Sequence, residues 1–162
     1  MGDTENGWQQ EISESLGLIF LLERRFEYIF DKVLATSNLT AKQWLVLAAV
    51  EKICEEKASI QEVARQLSTS HQNVKAIALN LQKNGFLTLE KDSKDKRVTR
   101  LTTTAKSKDF WQKREEENRA LLLKLFKHLS KQEKLFLHQV LGSLLQGADE
   151  LAEEINAENA KY

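Results

Sequence analysis

The chain has 162 residues, 24 Lys/Arg against 24 Asp/Glu, 41% hydrophobic residues, one cysteine and no proline. A net charge of zero argues against a general polyanion binder, a single cysteine excludes an intrachain disulfide framework, and no apolar run nears the roughly 20 residues needed to span a bilayer. The first six residues are acidic and polar, unlike a signal peptide, so the expected compartment is the cytoplasm.

One domain over 1–162 is expected at this length. Residues 1–10 read as a loose start with Trp8 as an anchor. A long helix is predicted over 12–34, with Ile12, Leu16, Ile19, Phe20, Phe26, Phe30 and Val33 along one face. Leu18, Leu21, Leu22 and Ile29 form a second apolar side, and a helix apolar on two sides is buried on two sides, here against a second subunit. Asn38 and Leu39 form a turn, after which Thr40 and Gln43 have capping-box spacing. The helix they open is predicted over 41–55, with Trp44, Leu47, Ala48 and Ile53 inward.

Ser59 and Glu62 repeat the capping-box spacing, and Ile60, Val63, Ala64 and Leu67 recur with helical period. Ser68, Thr69 and Ser70 break that helix, since their hydroxyls compete for backbone hydrogen bonds, and Ser70 or Thr69 caps the next. In the next helix Val74, Ile77, Ala78 and Leu81 face inward, which leaves Ser70, His71, Gln72, Asn73, Lys75 and Asn80 toward solvent. Asn84 and Gly85 end it, with Gly85 suited to a left-handed position. A two-stranded hairpin follows. Phe86, Leu87 and Leu89 lead in, Val98 and Leu101 lead out, and the tip over 90–97 carries Lys91, Lys94, Lys96 and Arg97, with Arg100 just beyond.

A long helix is predicted over 105–129, polar through 113–118 and apolar over 121–126. Glu115, Glu116 and Glu117 read as a solvated helix face rather than a catalytic cluster. Ser130 and Glu133 make a third capping box. The last helix carries Leu137, Val140 or Leu141, Leu144, Ala148, Leu151 and Ile155 on a near-heptad stripe, as helix pairing requires, and 156–162 are expected to fray.

The stretch 59–104 is therefore helix, tight turn, helix and hairpin: a helix-turn-helix with a wing, whose natural partner is duplex DNA. A polar outward face suits plain solvent as well as bases. Gln and Asn can pair with adenine edges, and Lys suits guanine or phosphate. The charge distribution favours DNA. Residues 60–106 hold nine Lys/Arg against four Asp/Glu, or +5; 1–59 hold six against ten, and 107–162 nine against ten. Wing cations can reach phosphates beside the groove that the helix enters.

This order of elements, with Gly85, Phe86 and Leu87 after the second helix and Asp92-x-x-Asp95-Lys96-Arg97 in the wing, resembles the multiple-antibiotic-resistance regulator (MarR) family. Leu39-Thr40-x-x-Gln43-x-x-Val46-Leu47 is similar to that family's second helix. The resemblance implies a mainly α fold with a small β-wing, and the unassigned apolar surface of the outer helices, 12–34 and 105–155, is expected to pair two copies into a homodimer. The resemblance also implies a palindromic operator and a small-molecule effector. By position Asp95 is similar to the acid that braces the wing, and Arg97 to the tip arginine that enters the minor groove. Three positions depart from the family pattern: Leu89 for a frequent arginine, Lys96 for the first arginine of a pair, and Ala105-Lys106 where a glycine usually follows the last strand.

No catalytic, metal or cofactor site is expected. His71, His128 and His138 lack metal-ligand spacing, neither C-x-x-C nor H-E-x-x-H occurs, and the six glycines are scattered. Cys54 is carried as a redox candidate beside the reading of a small buried hydrophobe; its acidic neighbours and helix-end position disfavour a thiolate. Phe20, Phe26, Tyr28, Phe30, Trp44, Phe110 and Trp111 suit either an effector cavity or ordinary core packing, with packing preferred for most. The expected function is that of a sequence-specific, ligand-responsive, homodimeric repressor. The competing reading is a winged helix that binds protein, which would have no need of a +5 segment.

Overall fold

The computed structural model describes residues 3–53 and 57–159, with backbone alone for 3–7, 52 and 53. Cys54 and its redox reading lie outside the described residues, as does the Ile53 side chain.

The chain forms two compact units, Met1–Phe110 and Trp111–Tyr162. In the first, α1 (Asp3–Leu34) is helical from Asp3, so the loose start expected over 1–10 is corrected. No proline interrupts it, and the Gln10 amide bonds the Glu14 carboxylate one turn on, at 3.0 Å. A short 3-10 turn and Asn38, at φ 54°, reverse the chain into α2 (Ala41–Ala48). Both bonds of the Thr40/Gln43 capping box are present. The Asp31 carboxylate of α1 accepts from the Ala41 N–H at 2.7 Å, so α1 itself caps α2.

The α-helix predicted over 41–55 stops at Ala48 and widens into a π turn, Ala49–Ile53. Val46, Leu47, Ala49 and Val50 are all buried. Trp44 is half-buried and stacks on Phe30, ring centroids 4.9 Å apart.

Next come β1 (Ala58–Ser59), α3 (Ile60–Gln66), α4 (His71–Lys83), β2 (Leu87–Lys91) and β3 (Thr99–Thr103). The sheet has three antiparallel strands in the order β1-β3-β2, where two were expected. β1 is missed because two residues carry no period; it pairs Ala58 with Leu101 and Ser59 with Arg100. On the hairpin Leu89 faces Leu101 and Glu90 faces Arg100. Val63, Val74, Ala78, Leu81, Leu87 and Leu101 close the core between helices and sheet. Each large apolar side chain buried there contributes about 1.5–3 kcal/mol. Buried Phe86 meets half-buried Phe110 edge-on, with ring centroids 5.4 Å apart.

The helix predicted over 105–129 is two helices, α5 (Ala105–Lys113) and α6 (Glu115–Leu125), with the break at Arg114. The break puts Glu115, Glu116 and Glu117 in the first turn of α6, where the positive end of the helix dipole favours anions. In the second unit α7 (Lys131–Asn159) follows a complete Ser130/Glu133 capping box and stays helical over 156–159, which were expected to fray. An apolar groove of about 420 Å³ runs between α6 and α7, lined by Leu122, Leu123, Phe126, Leu137 and Leu141. Among the described residues no helix is long and apolar enough to cross a membrane.

Candidate nucleic-acid interface

The first helix of the pair, α3, is set by its N-terminus. The Ser59 hydroxyl accepts from Glu62 N–H at 3.1 Å, and Glu62 accepts in return from Ser59 N–H. The Ser59 N–H donating to the carboxylate, and after it the Ser59 hydroxyl beside that carboxylate, hold the Glu62 carboxyl below its ordinary pKa. Ser68 takes a left-handed φ of 46° and turns the chain. Ser70 then caps α4, its hydroxyl oxygen accepting from Asn73 N–H at 3.1 Å. The Asn73 amide nitrogen donates to Thr69 Oγ1 at 3.0 Å.

Burial on α4 follows the predicted face: Val74, Ala78 and Leu81 are buried, and Ile77 is half-buried. Ser70, His71, Gln72, Asn73, Lys75 and Asn80 are all exposed. Two apolar residues left out of the sequence reading, Ala76 and Leu79, are exposed on the same helix. At its far end Gly85 has φ 76°, the left-handed stop expected of it. Lys106 Nζ donates to the Asn84 carbonyl at 2.7 Å and lies 5.0 Å from the centre of the Phe86 ring. Lys106 thus caps the end of α4 with a cation, where the helix dipole is negative.

The wing tip is built by two aspartates with different duties. Asp92 Oδ1 accepts from the N–H groups of Lys94 and Asp95 at 2.8 and 3.0 Å, folding the loop back on itself. Its other oxygen, Oδ2, accepts from Arg100 Nε at 2.8 Å. The Arg100 bond, followed by the two loop N–H groups, pushes the Asp92 carboxyl far below the usual carboxylate range, and Asp92 in turn raises the Arg100 guanidinium. Arg100 also donates to Glu62 and to the Lys57 carbonyl. Asp95 accepts from Arg97 N–H at 2.9 Å and from its guanidinium at 3.2 Å, and the backbone bond above all lowers its pKa.

The two arginines therefore differ. The Arg97 side chain is 92% exposed at the tip, while Arg100 is 31% exposed and committed to internal acceptors. Counting Arg100 among the phosphate-reaching cations is corrected on this ground. Glu90 lies opposite Arg100 across the hairpin but pairs with Lys57, so even the strand register does not reveal Arg100's partners. Lys94 and Lys96 are exposed, with no carboxylate within salt-bridge distance among the described residues. Lys91 donates to Thr99 across the strands. Among the described residues no group of His, Cys, Asp and Glu could hold a metal ion.

A family model described as MarR family matches residues 37–98. The transcriptional activatory protein BadR of Rhodopseudomonas palustris is 26% identical over 82 residues, 50% of this chain and 47% of BadR, so the chain spans about half of that relative. In fold, a MarR protein from Peptoclostridium difficile superposes with a TM-score of 0.73 at 20% identity, covering 83% of this chain and 87% of its own. MepR of S. aureus, solved as a DNA complex, superposes at 0.66 and 15% identity, covering 81% and 94%.

Proposed function

We propose, from the premise that the head of this chain is a MarR-family winged helix, that the protein is a homodimeric, sequence-specific double-stranded DNA-binding transcriptional repressor. The observation that carries the reading is a division of labour. α4 spends its apolar side on the core and exposes Gln72, Asn73 and Lys75 in its first turns, where a recognition helix reaches base edges. Beside it the wing holds Arg97, Lys94 and Lys96 out to solvent on a loop fixed by two aspartates. In this reading α4 lies in the major groove. Arg97 enters the minor groove and the lysines meet phosphate, with Asp95 as the brace of the wing.

The dimer rests on exposed apolar surface. Ile12, Leu16, Leu18, Phe20, Leu21 and Leu22 of α1 are exposed, as are Leu135, Phe136, Leu144, Leu145, Leu151 and Ile155 of α7. Soluble monomers rarely leave so much apolar surface uncovered. Residues 1–162 then act as one regulator, with 12–34 and 105–155 pairing two copies. Two heads related by a twofold axis read a palindromic operator. A small-molecule effector acts by shifting the population of head spacings.

The test is selection of duplexes from a random pool by the purified protein, with its mass measured by sedimentation. The expected result is an inverted repeat bound by a species of twice the 18.6 kDa chain. A monomer at micromolar concentration overturns the two-headed reading. Retention of random DNA with no enriched sequence returns the head to the protein-binding reading.

A further inference from the structure

We infer that Leu79, with Ala76 beside it, is a specificity-determining surface that takes thymine methyl groups in the major groove. This rests on α4 being the base-reading helix. At 100° per residue, Gln72, Ala76, Leu79 and Lys83 follow one another at spacings of four, three and four and share one stripe. That stripe lies opposite the buried Val74, Ala78 and Leu81, and all four of its members are exposed.

Leu79 is 49% exposed in the middle of an otherwise hydrogen-bonding face. A lone surface leucine is ordinary in itself. Here it sits between Gln72, suited to adenine, and Lys83, suited to phosphate, on the helix face that would meet bases. Neither Leu79 nor Ala76 can read a base by hydrogen bonding. On a major-groove edge the one apolar feature is the C5-methyl of thymine, and an aliphatic side chain pressed on it removes both from water. The same edge of cytosine carries no methyl, so this apolar contact is lost there. The middle of α4 therefore selects thymine over cytosine, while its first turn reads adenine.

The experiment starts from the duplex recovered by selection and replaces each thymine in turn by deoxyuracil, which deletes only the methyl group. Wild-type protein is expected to lose about fourfold in affinity at one or two positions per half-site, the value of one buried methyl. Leu79→Ala keeps the melting temperature and the affinity for random duplex, and binds the thymine and uracil forms of the Leu79 position equally. Ala76→Ser tests the second position in the same way. Uniform indifference of the wild type to uracil overturns the inference while leaving α4 as the reader. So does a uracil effect that persists in both variants. If no duplex is selected at all, the DNA-binding reading fails first and this one with it.

Discussion

Arg100 Nε donates to Asp92 Oδ2 at 2.8 Å, and the same guanidinium reaches Glu62 of the α3 capping box at 3.2 Å. One side chain thus fastens the wing loop to the first helix of the helix-turn-helix. Arg100→Ala is expected to release the loop over 92–98 without touching α4. Amide hydrogen exchange there should quicken, and DNA affinity should fall for cognate and random duplexes alike. Unchanged exchange in the loop would show that the latch does not order the wing.

The same latch sets an acid limit on the head. Asp92, Asp95 and Glu62 all have folded pKa values depressed below their ordinary ones. Their stabilisation is present above the ordinary carboxylate range, about pH 4, and is lost as pH falls through the depressed values. Melting temperature should therefore drop below about pH 4 for this reason, and Asp92→Asn should lower it at pH 7 and flatten the acid slope. Parallel pH profiles for wild type and variant would contradict this.

Arg97 is the exposed arginine of the wing, held by Asp95 among the described residues. Arg97→Ala should weaken binding to all duplexes and flatten the salt dependence by about one unit if one phosphate contact is lost. Binding isotherms at several salt concentrations check this. An unchanged slope and affinity would take the wing off the DNA.

On α4 neighbouring positions should separate function from fold. Gln72→Ala or Asn73→Ala should cost roughly 1–3 kcal/mol on the cognate duplex and little on a scrambled one. Asn73→Ala also removes its bond to Thr69, so some stability goes with it. Val74 is fully buried, and Val74→Ala should instead lower stability by roughly 2 kcal/mol through a cavity. Melting curves paired with isotherms distinguish the two effects. Specificity that survives both polar substitutions would mean that another element reads the bases.

Much of this was legible in the chain because the signals are local. A capping box is a spacing of three, and all three at Thr40, Ser59 and Ser130 form. The inward face of α4 is a helical period, and Gly85 stops that helix because a left-handed φ is cheap only without a Cβ. The break at Arg114 and the π turn after Ala48 were not legible, since no proline or glycine marks either.

What the amino-acid order determined by itself was the succession of helices, their caps, their buried faces and the polar start of α4. Only the tertiary structure decided which cations are free. Arg97 and Arg100 lie three residues apart in one hairpin, yet one is held out at the tip and the other bound to Asp92, Glu62 and the Lys57 carbonyl. Lys106 likewise counts as positive charge in the sequence but caps the end of α4. The physical reason is that a period reports which side of an element is apolar, whereas a side chain's electrostatic partner is set by strand register and by loops folding back over tens of residues.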